Sequence, residues 1–210
     1  IRLRTTDSGT GGLTFDKVFT ITINDVNDTP TDIALTATSI AENMASGSTV
    51  GLISGSDADA GQAATLVFSL VAGVGADDNA SFEVDGHELN TAEVFNFEGN
   101  ASYSIRLRAT DTGGEFVEEA FTITITDAND APIITSSGGG ATGTDSVVEN
   151  TTAVTTVTAG DVDVPAQTLS YSITGGEDMA LFTIVSDTGE LSFIAAPNYE
   201  NPDDLDNDND

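Results

Sequence analysis

The run Phe19-Thr20-Ile21-Thr22-Ile23, followed by Asp25-Val26-Asn27-Asp28-Thr29-Pro30, returns as Phe121-Thr122-Ile123-Thr124-Ile125 followed by Asp127-Ala128-Asn129-Asp130-Ala131-Pro132. An alternating apolar stretch reads as a strand with one buried face. Aspartate and asparagine are poor strand formers, so the D-x-N-D run ends that strand. It also gathers hard oxygen donors where one unit meets the next. Self-similarity at a fixed long period marks an array of repeated units.

Working outward, Ile1-Arg2-Leu3-Arg4-Thr5-Thr6-Asp7 matches Ile105-Arg106-Leu107-Arg108-Ala109-Thr110-Asp111, and Ala41-Glu42-Asn43 matches Val148-Glu149-Asn150. Asp57-Ala58-Asp59 answers Asp161-Val162-Asp163, Leu66-Val67-Phe68-Ser69-Leu70 answers Leu169-Ser170-Tyr171-Ser172-Ile173, and Asn96-Phe97-Glu98 answers Asn198-Tyr199-Glu200. The chain divides into residues 1–28, the last strands of one repeat; residues 29–130, a complete repeat; and residues 131–210, a repeat without its last strands. Ile105 and Leu107 point one way and Arg106 and Arg108 the other, a period of two. Short strands of this kind, in units of roughly 100 residues separated by turns, predict an all-β chain of tandem Ig-like Greek-key β-sandwiches. Gly113-Gly114 and Asp187-Thr188-Gly189 read as hairpin turns. The arginines, all on one strand type, read as an outer face balancing nearby carboxylates.

Composition narrows the function. Thirty-five acidic residues against five basic ones give a formal charge of −30 over 210 residues. Such self-repulsion calls for bound cations or counter-ions. It excludes nucleic acid as a partner, since no basic patch exists to meet phosphate. Acidity spread over the surface as an adaptation to salt is the rival explanation. With no cysteine, disulfides and thiol chemistry are absent. No apolar run approaches the roughly 18 residues that span a bilayer. Nucleophilic and Schiff-base catalysis lack their parts in a chain with one histidine, His87, which belongs to a hairpin. Every repeating carboxylate pair is accounted for by the seams, so no enzyme is expected.

Taken in order, the D-x-N-D-x-P seams, the x-E-N element, the D-x-D pair, the x-x-E element and the A-T-D-x-G-G turn resemble cadherin repeats in their bacterial or cadherin-like form, over essentially the whole chain. The resemblance implies Ca2+ held between consecutive domains. The first junction would use Asp25, Asn27 and Asp28 from above with Asp57, Asp59 and Asp111 from below. The second would use Glu42, Glu98, Asp127, Asn129 and Asp130, completed by Asp161 and Asp163. Glu149 and Glu200 would serve a third junction beyond Asp210, and Asp7 one before Ile1. Asn96 stands where the family commonly has an acid, which lowers the charge of its site. The seam is also one residue shorter than the usual animal pattern.

The resemblance further implies the calcium-binding extracellular repeat region of a bacterial cell-surface adhesin, stiffened by interdomain Ca2+. Its partners would be calcium, neighbouring repeats of the same chain, and either itself (homophilic or head-to-tail) or surface glycans. A filament or surface-layer subunit is the first alternative. A carbohydrate-binding module is the second, poorly supported by aromatics that mostly take core positions. Three smaller readings complete the picture. The tail Asp204-Leu205-Asp206-Asn207-Asp208-Asn209-Asp210 resembles half of an EF-hand loop with Asn209 in place of glycine. The sequons at Asn79, Asn100 and Asn150 read as chance. The chain looks like an excerpt of a longer polypeptide, with the alternative that residues 1–23 of one copy complete the open third repeat of the next.

Overall fold

A computed structural model describes residues 1–201, so the acidic tail from Asp204 lies outside the described residues. Strands between Asp32 and Thr126 form two four-stranded sheets packed around one core. One sheet has the order β3-β5-β8-β7, from β3 (Asp32–Leu35), β5 (Thr49–Ser56), β8 (Glu88–Thr91) and β7 (Phe82–Asp85). The other has the order β4-β10-β9-β6, from β4 (Ser39–Ala41), β10 (Phe116–Thr126), β9 (Ser102–Thr110) and β6 (Val67–Leu70). Neighbouring strands are antiparallel except β4, which runs parallel to the end of β10. That parallel pairing matters for function. It lays Ala41 beside Thr126, so Glu42 and the seam at Asp127 leave the sheet together.

The alternation read from sequence is the alternation of burial. Ile105, Leu107 and Ala109 of β9 and Ile123 and Ile125 of β10 are fully buried. They meet Ile33, Val50, Ile53, Phe68, Phe82, Leu89 and Phe95 in one core. Burial of such side chains supplies the main stabilisation of a disulfide-free domain of this size. The opposite face of β9 carries Arg106 and Arg108, both paired with Glu118 of β10, which stands directly across from Arg108. The arginine stripe is therefore an ion-paired outer face. Between these strands the chain turns through Gly113 and Gly114; the latter has φ +93°, which glycine adopts without penalty. A Cβ on Gly113 would lie 2.5 Å from the Asn27 side chain, so the seam packs directly on this turn.

Smaller sheets lie on either side. Before the sandwich, β1 (Arg2–Thr6) and β2 (Thr14–Val18) pair as an exposed hairpin in which Arg4 faces Asp16. After it, β11 (Ile133–Ile134) pairs with β13 (Ala159–Gly160). A three-stranded sheet follows in the order β12 (Ala153–Thr156), β15 (Glu190–Phe193) and β14 (Phe182–Ile184). Two expected strands are absent. Phe19 to Ile23 forms no strand, although its counterpart lies within β10, and Leu169 to Ile173 forms none, although its counterpart lies in β6. The reason is pairing. Phe121 to Thr124 pair with Ser102 to Ile105, and β6 pairs with the end of β9. Phe19 keeps the equivalent pairing, exchanging two backbone hydrogen bonds of 2.7 Å with Ile1, but residues 20–23 and 169–173 pair with no strand among the described residues. A strand pattern without a neighbour leaves its backbone donors unpaired and makes no ladder.

Candidate metal centres at the seams

At the second seam four segments converge. Glu42 follows β4, is 2% exposed, and accepts the backbone N–H of Phe97 at 2.8 Å and of Ala128 at 2.9 Å. One carboxylate thus pins the x-x-E segment and the D-x-N-D segment together. The next residue, Asn43, has a left-handed φ of 60°, a conformation asparagine tolerates better than other non-glycine residues. That bend lets its Nδ2 donate to Asp130 Oδ1 at 2.9 Å. From the following repeat, Asp161 Oδ1 accepts the N–H of Asp163, and Asp163 accepts the N–H of Asp130 at 3.0 and 3.2 Å. This last bond crosses the seam.

Two groups of three carboxylates result, Glu42–Glu98–Asp130 and Glu98–Asp127–Asp163, each with oxygens within 4.8 Å of one another. Glu98 belongs to both. Like charges so close oppose ionisation. The Glu98 carboxyl is held down by its own backbone N–H, yet burial and the charges of Glu42, Asp130 and Asp127 outweigh that and leave it above the usual range. Asp127 is pushed up by burial first, then by the charges of Asp163, Glu42 and Asp130. Glu42 goes the other way, because the Phe97 and Ala128 N–H groups favour its charged form.

The first seam repeats the cross-seam bond. Asp28 N–H donates to Asp59 Oδ2 at 2.9 Å, and Asp59 N–H to Asp57 Oδ1 at 2.8 Å. Asn27 Nδ2 donates to Asp111 Oδ2 at 2.8 Å. Burial would raise Asp111, but that amide and the N–H groups of residues 113–115 prevail and lower it. Asp25 remains exposed, and none of Asp25, Asp57, Asp59 and Asp111 joins a three-carboxylate group among the described residues. Even so, Asp57 Oδ2 is buried without a hydrogen-bond partner, an arrangement that costs free energy unless something cationic meets it.

Beyond the second repeat, the N–H of Tyr199 donates to Glu149 Oε2, as that of Phe97 does to Glu42, and Asn150 repeats the left-handed bend at φ 62°. Glu200 follows there as Glu98 follows Phe97. Asn96 Oδ1 accepts the Gly99 N–H at 2.6 Å. Asn129 Oδ1 accepts from Gln167 at 2.8 Å.

The donor set fits a hard divalent cation. Its oxygens are carboxylate and carboxamide, they come from two successive repeats, and they are mutually repulsive without positive charge. Calcium, which takes about six to eight oxygens in a flexible shell, suits this better than an ion demanding strict octahedral geometry.

A cadherin domain model matches residues 36–126. Human Cadherin-24 is 31% identical over 205 residues, covering 89% of this chain and 24% of the relative. Mouse Protocadherin Fat 4 is 31% identical over 133 residues, covering 60% of this chain and 3% of that protein. The chain therefore spans about a quarter or less of the curated relatives it matches. Among solved structures, protocadherin Gamma B2 extracellular cadherin domains 3-6 match with a TM-score of 0.56 and 26% identity, over 94% of this chain and 50% of that one. Mouse Cadherin-23 EC22-24, at 23% identity, shares the fold with a TM-score of 0.58, over 95% of this chain and 64% of that one.

Proposed function

This chain is cadherin-like, with a cadherin domain at residues 36–126, and from that premise we propose that it is an extracellular, calcium-dependent adhesion segment whose seams are its metal sites. The cadherin family is non-enzymatic, and the repeat acts through binding and shape. The observation that carries the proposal is the convergence at the second seam of carboxylates from Glu42 to Asp163, brought to one pole by the fold.

Glu42, Glu98 and Asp130 would hold one ion, and Glu98, Asp127 and Asp163 an adjacent one, with Glu98 shared. When bound, calcium supplies positive charge at a place crowded with negative charge. The rest is done by the chain. Glu42 clamps two segments of its own repeat through the Phe97 and Ala128 N–H groups. Asn43 orients Asp130, and Asp163 receives the Asp130 N–H across the seam. Fixing both sides of the seam to one ion stiffens the angle between repeats, and a stiff array can carry a distal binding region outward. Division into residues 1–28, 29–130 and 131–210 follows from the same reading. The partner is a surface of like construction, in the manner of the family.

The test is calorimetric calcium titration of two variants. Asp130→Ala should lose most of the heat assigned to the second seam. Asp77→Ala, whose carboxylate stands 3.5 Å from Ser104 Oγ and joins no three-carboxylate group among the described residues, should titrate as wild type. Equal losses in both would mean that bulk acidity binds the ion and would sink the proposal.

A further inference from the structure

Both seams contain a glutamine that the calcium reading leaves unused. At the first, Gln62 Nε2 donates to Asn27 Oδ1 at 2.9 Å and reaches Asp59 Oδ2 at 3.5 Å. At the second, Gln167 Nε2 donates to Asn129 Oδ1 at 2.8 Å and to Asp163 Oδ2. Each amide therefore joins the seam asparagine of one repeat to the second aspartate of the next repeat's D-x-D pair. The sequence contexts differ. Gln62 follows Asp59 by three positions through Ala60-Gly61, whereas Gln167 follows Asp163 by four through Val164-Pro165-Ala166. Two unlike loops deliver the same donor to the same pair of oxygens.

The orientation of the first amide is fixed independently. Gln62 Oε1 accepts the backbone N–H of Thr112 at 3.2 Å and its hydroxyl at 2.8 Å. A backbone N–H can only donate, so the NH2 end must face Asn27, and the atom it meets must be the asparagine oxygen. Asn27 Nδ2 is then free to donate to Asp111 Oδ2. The result is a directed ring through Thr112, Gln62, Asn27 and Asp111 that spans the junction. At the second seam Gln167 shares the wall of a cavity of about 240 Å³ with Asp127, Asn129 and Asp163. The amide borders this space without filling it.

We propose that Gln62 and Gln167 are the positioning residues of the two junctions. Each holds a carboxamide oxygen and a carboxylate from opposite sides of the seam in place before the ion arrives. Asp59 Oδ2 and Asp163 Oδ2 each accept both the seam N–H and the glutamine amide, but a carboxylate offers about four lone-pair sites and a carboxamide oxygen two, so both side chains keep capacity for a cation. Donors that orient metal ligands in this way typically raise affinity about 10–100-fold. The bond also links the repeats in the absence of metal, so the seam is pre-ordered. This inference rests on the calcium reading of the seams.

The experiment uses the whole chain with Gln167→Met, which keeps the length and removes the donor. Two quantities are read: calcium affinity by calorimetry, and exchange of the Asp130 N–H in chelator by NMR. The second seam should bind calcium about tenfold more weakly. In chelator the Asp130 N–H should exchange faster, while the Asp28 N–H and the core amide of Leu107 keep their rates. Gln62→Met should show the mirror pattern. Unchanged or tighter calcium binding would overturn the proposal, as would faster exchange spread over the core amides. A wild-type chain that takes up no calcium would sink the calcium reading and the positioning role with it. Equal uptake by wild type and variant would sink the positioning role alone.

Discussion

Replacing Phe95 by alanine separates the stability of the middle repeat from its metal chemistry. Phe95 is 2% exposed, and its ring lies 4.6 Å from that of Tyr103 and 5.3 Å from that of Phe82, centroid to centroid. Its carbonyl accepts the Asn43 N–H at 3.1 Å, and two residues on, Phe97 N–H binds Glu42. The ring is therefore the anchor of the segment that carries Glu98. Truncating a buried phenylalanine costs about 3–5 kcal/mol. In a domain of roughly 100 residues each kcal/mol moves Tm by about 4–8 °C, so a fall of at least about 12 °C is expected. Leu107→Ala is the control. Leu107 is fully buried in β9, and its loss costs about 2–5 kcal/mol without touching the seam segments. Calorimetric titration at about 10 °C, where both variants should stay folded, reads calcium affinity. Phe95→Ala should weaken binding at the second seam on the order of tenfold, the size of effect seen when ligand support is lost, and Leu107→Ala should leave it near wild type. Equal calcium affinities in the two variants would refute the idea that the Phe95 ring positions the ligand arm.

Two pH predictions follow from the carboxylates. Glu98 and Asp127 hold their protons to higher pH than ordinary carboxyls, so calcium binding at mildly acidic pH must displace protons. Titrations in buffers of different ionisation enthalpy should show this release, and Glu98→Gln should reduce it. The signs for ion-free folding are opposite for the raised and the lowered groups. Glu98 and Asp127, raised in the folded state, contribute stability at low pH that is lost as pH rises through their folded pKa values. Glu42 and Asp111, lowered, contribute stability above the ordinary carboxylate range that is lost as pH falls through theirs. Chemical denaturation in chelator should therefore show stability falling at both ends of the acid range.

The seams and the sandwich were legible because their signals repeat. Asp28 and Asp130 each close a strand pattern, and each donates its N–H to the second aspartate of the next D-x-D pair. The buried faces of β9 and β10 were legible from simple alternation. What escaped was set by partners distant in sequence. The pattern Phe19 to Ile23 is as strand-like as Phe121 to Ile125, yet a strand needs a neighbour, and past the Phe19–Ile1 pair none faces it among the described residues. Glutamines 62 and 167 carried no readable spacing, since they sit three and four residues from their aspartates and act through side chains of another repeat. Asn96 was visible only as a neutral residue where acids are expected, and the cap its Oδ1 provides for the Gly99 N–H is a local bond no spacing announces. Asn43 was visible in the x-E-N element, but its role depends on a left-handed bend that no local pattern announces.

The central claim, that calcium at the seams sets the shape of the array, is tested most directly by small-angle scattering of the whole chain at constant ionic strength. With millimolar calcium the particle should have a larger maximum dimension and a narrower distance distribution than in chelator. Reproduction of the full change by concentrated potassium chloride would contradict the account, because screening of the net charge of −30, and not occupation of the seams, would then explain the shape.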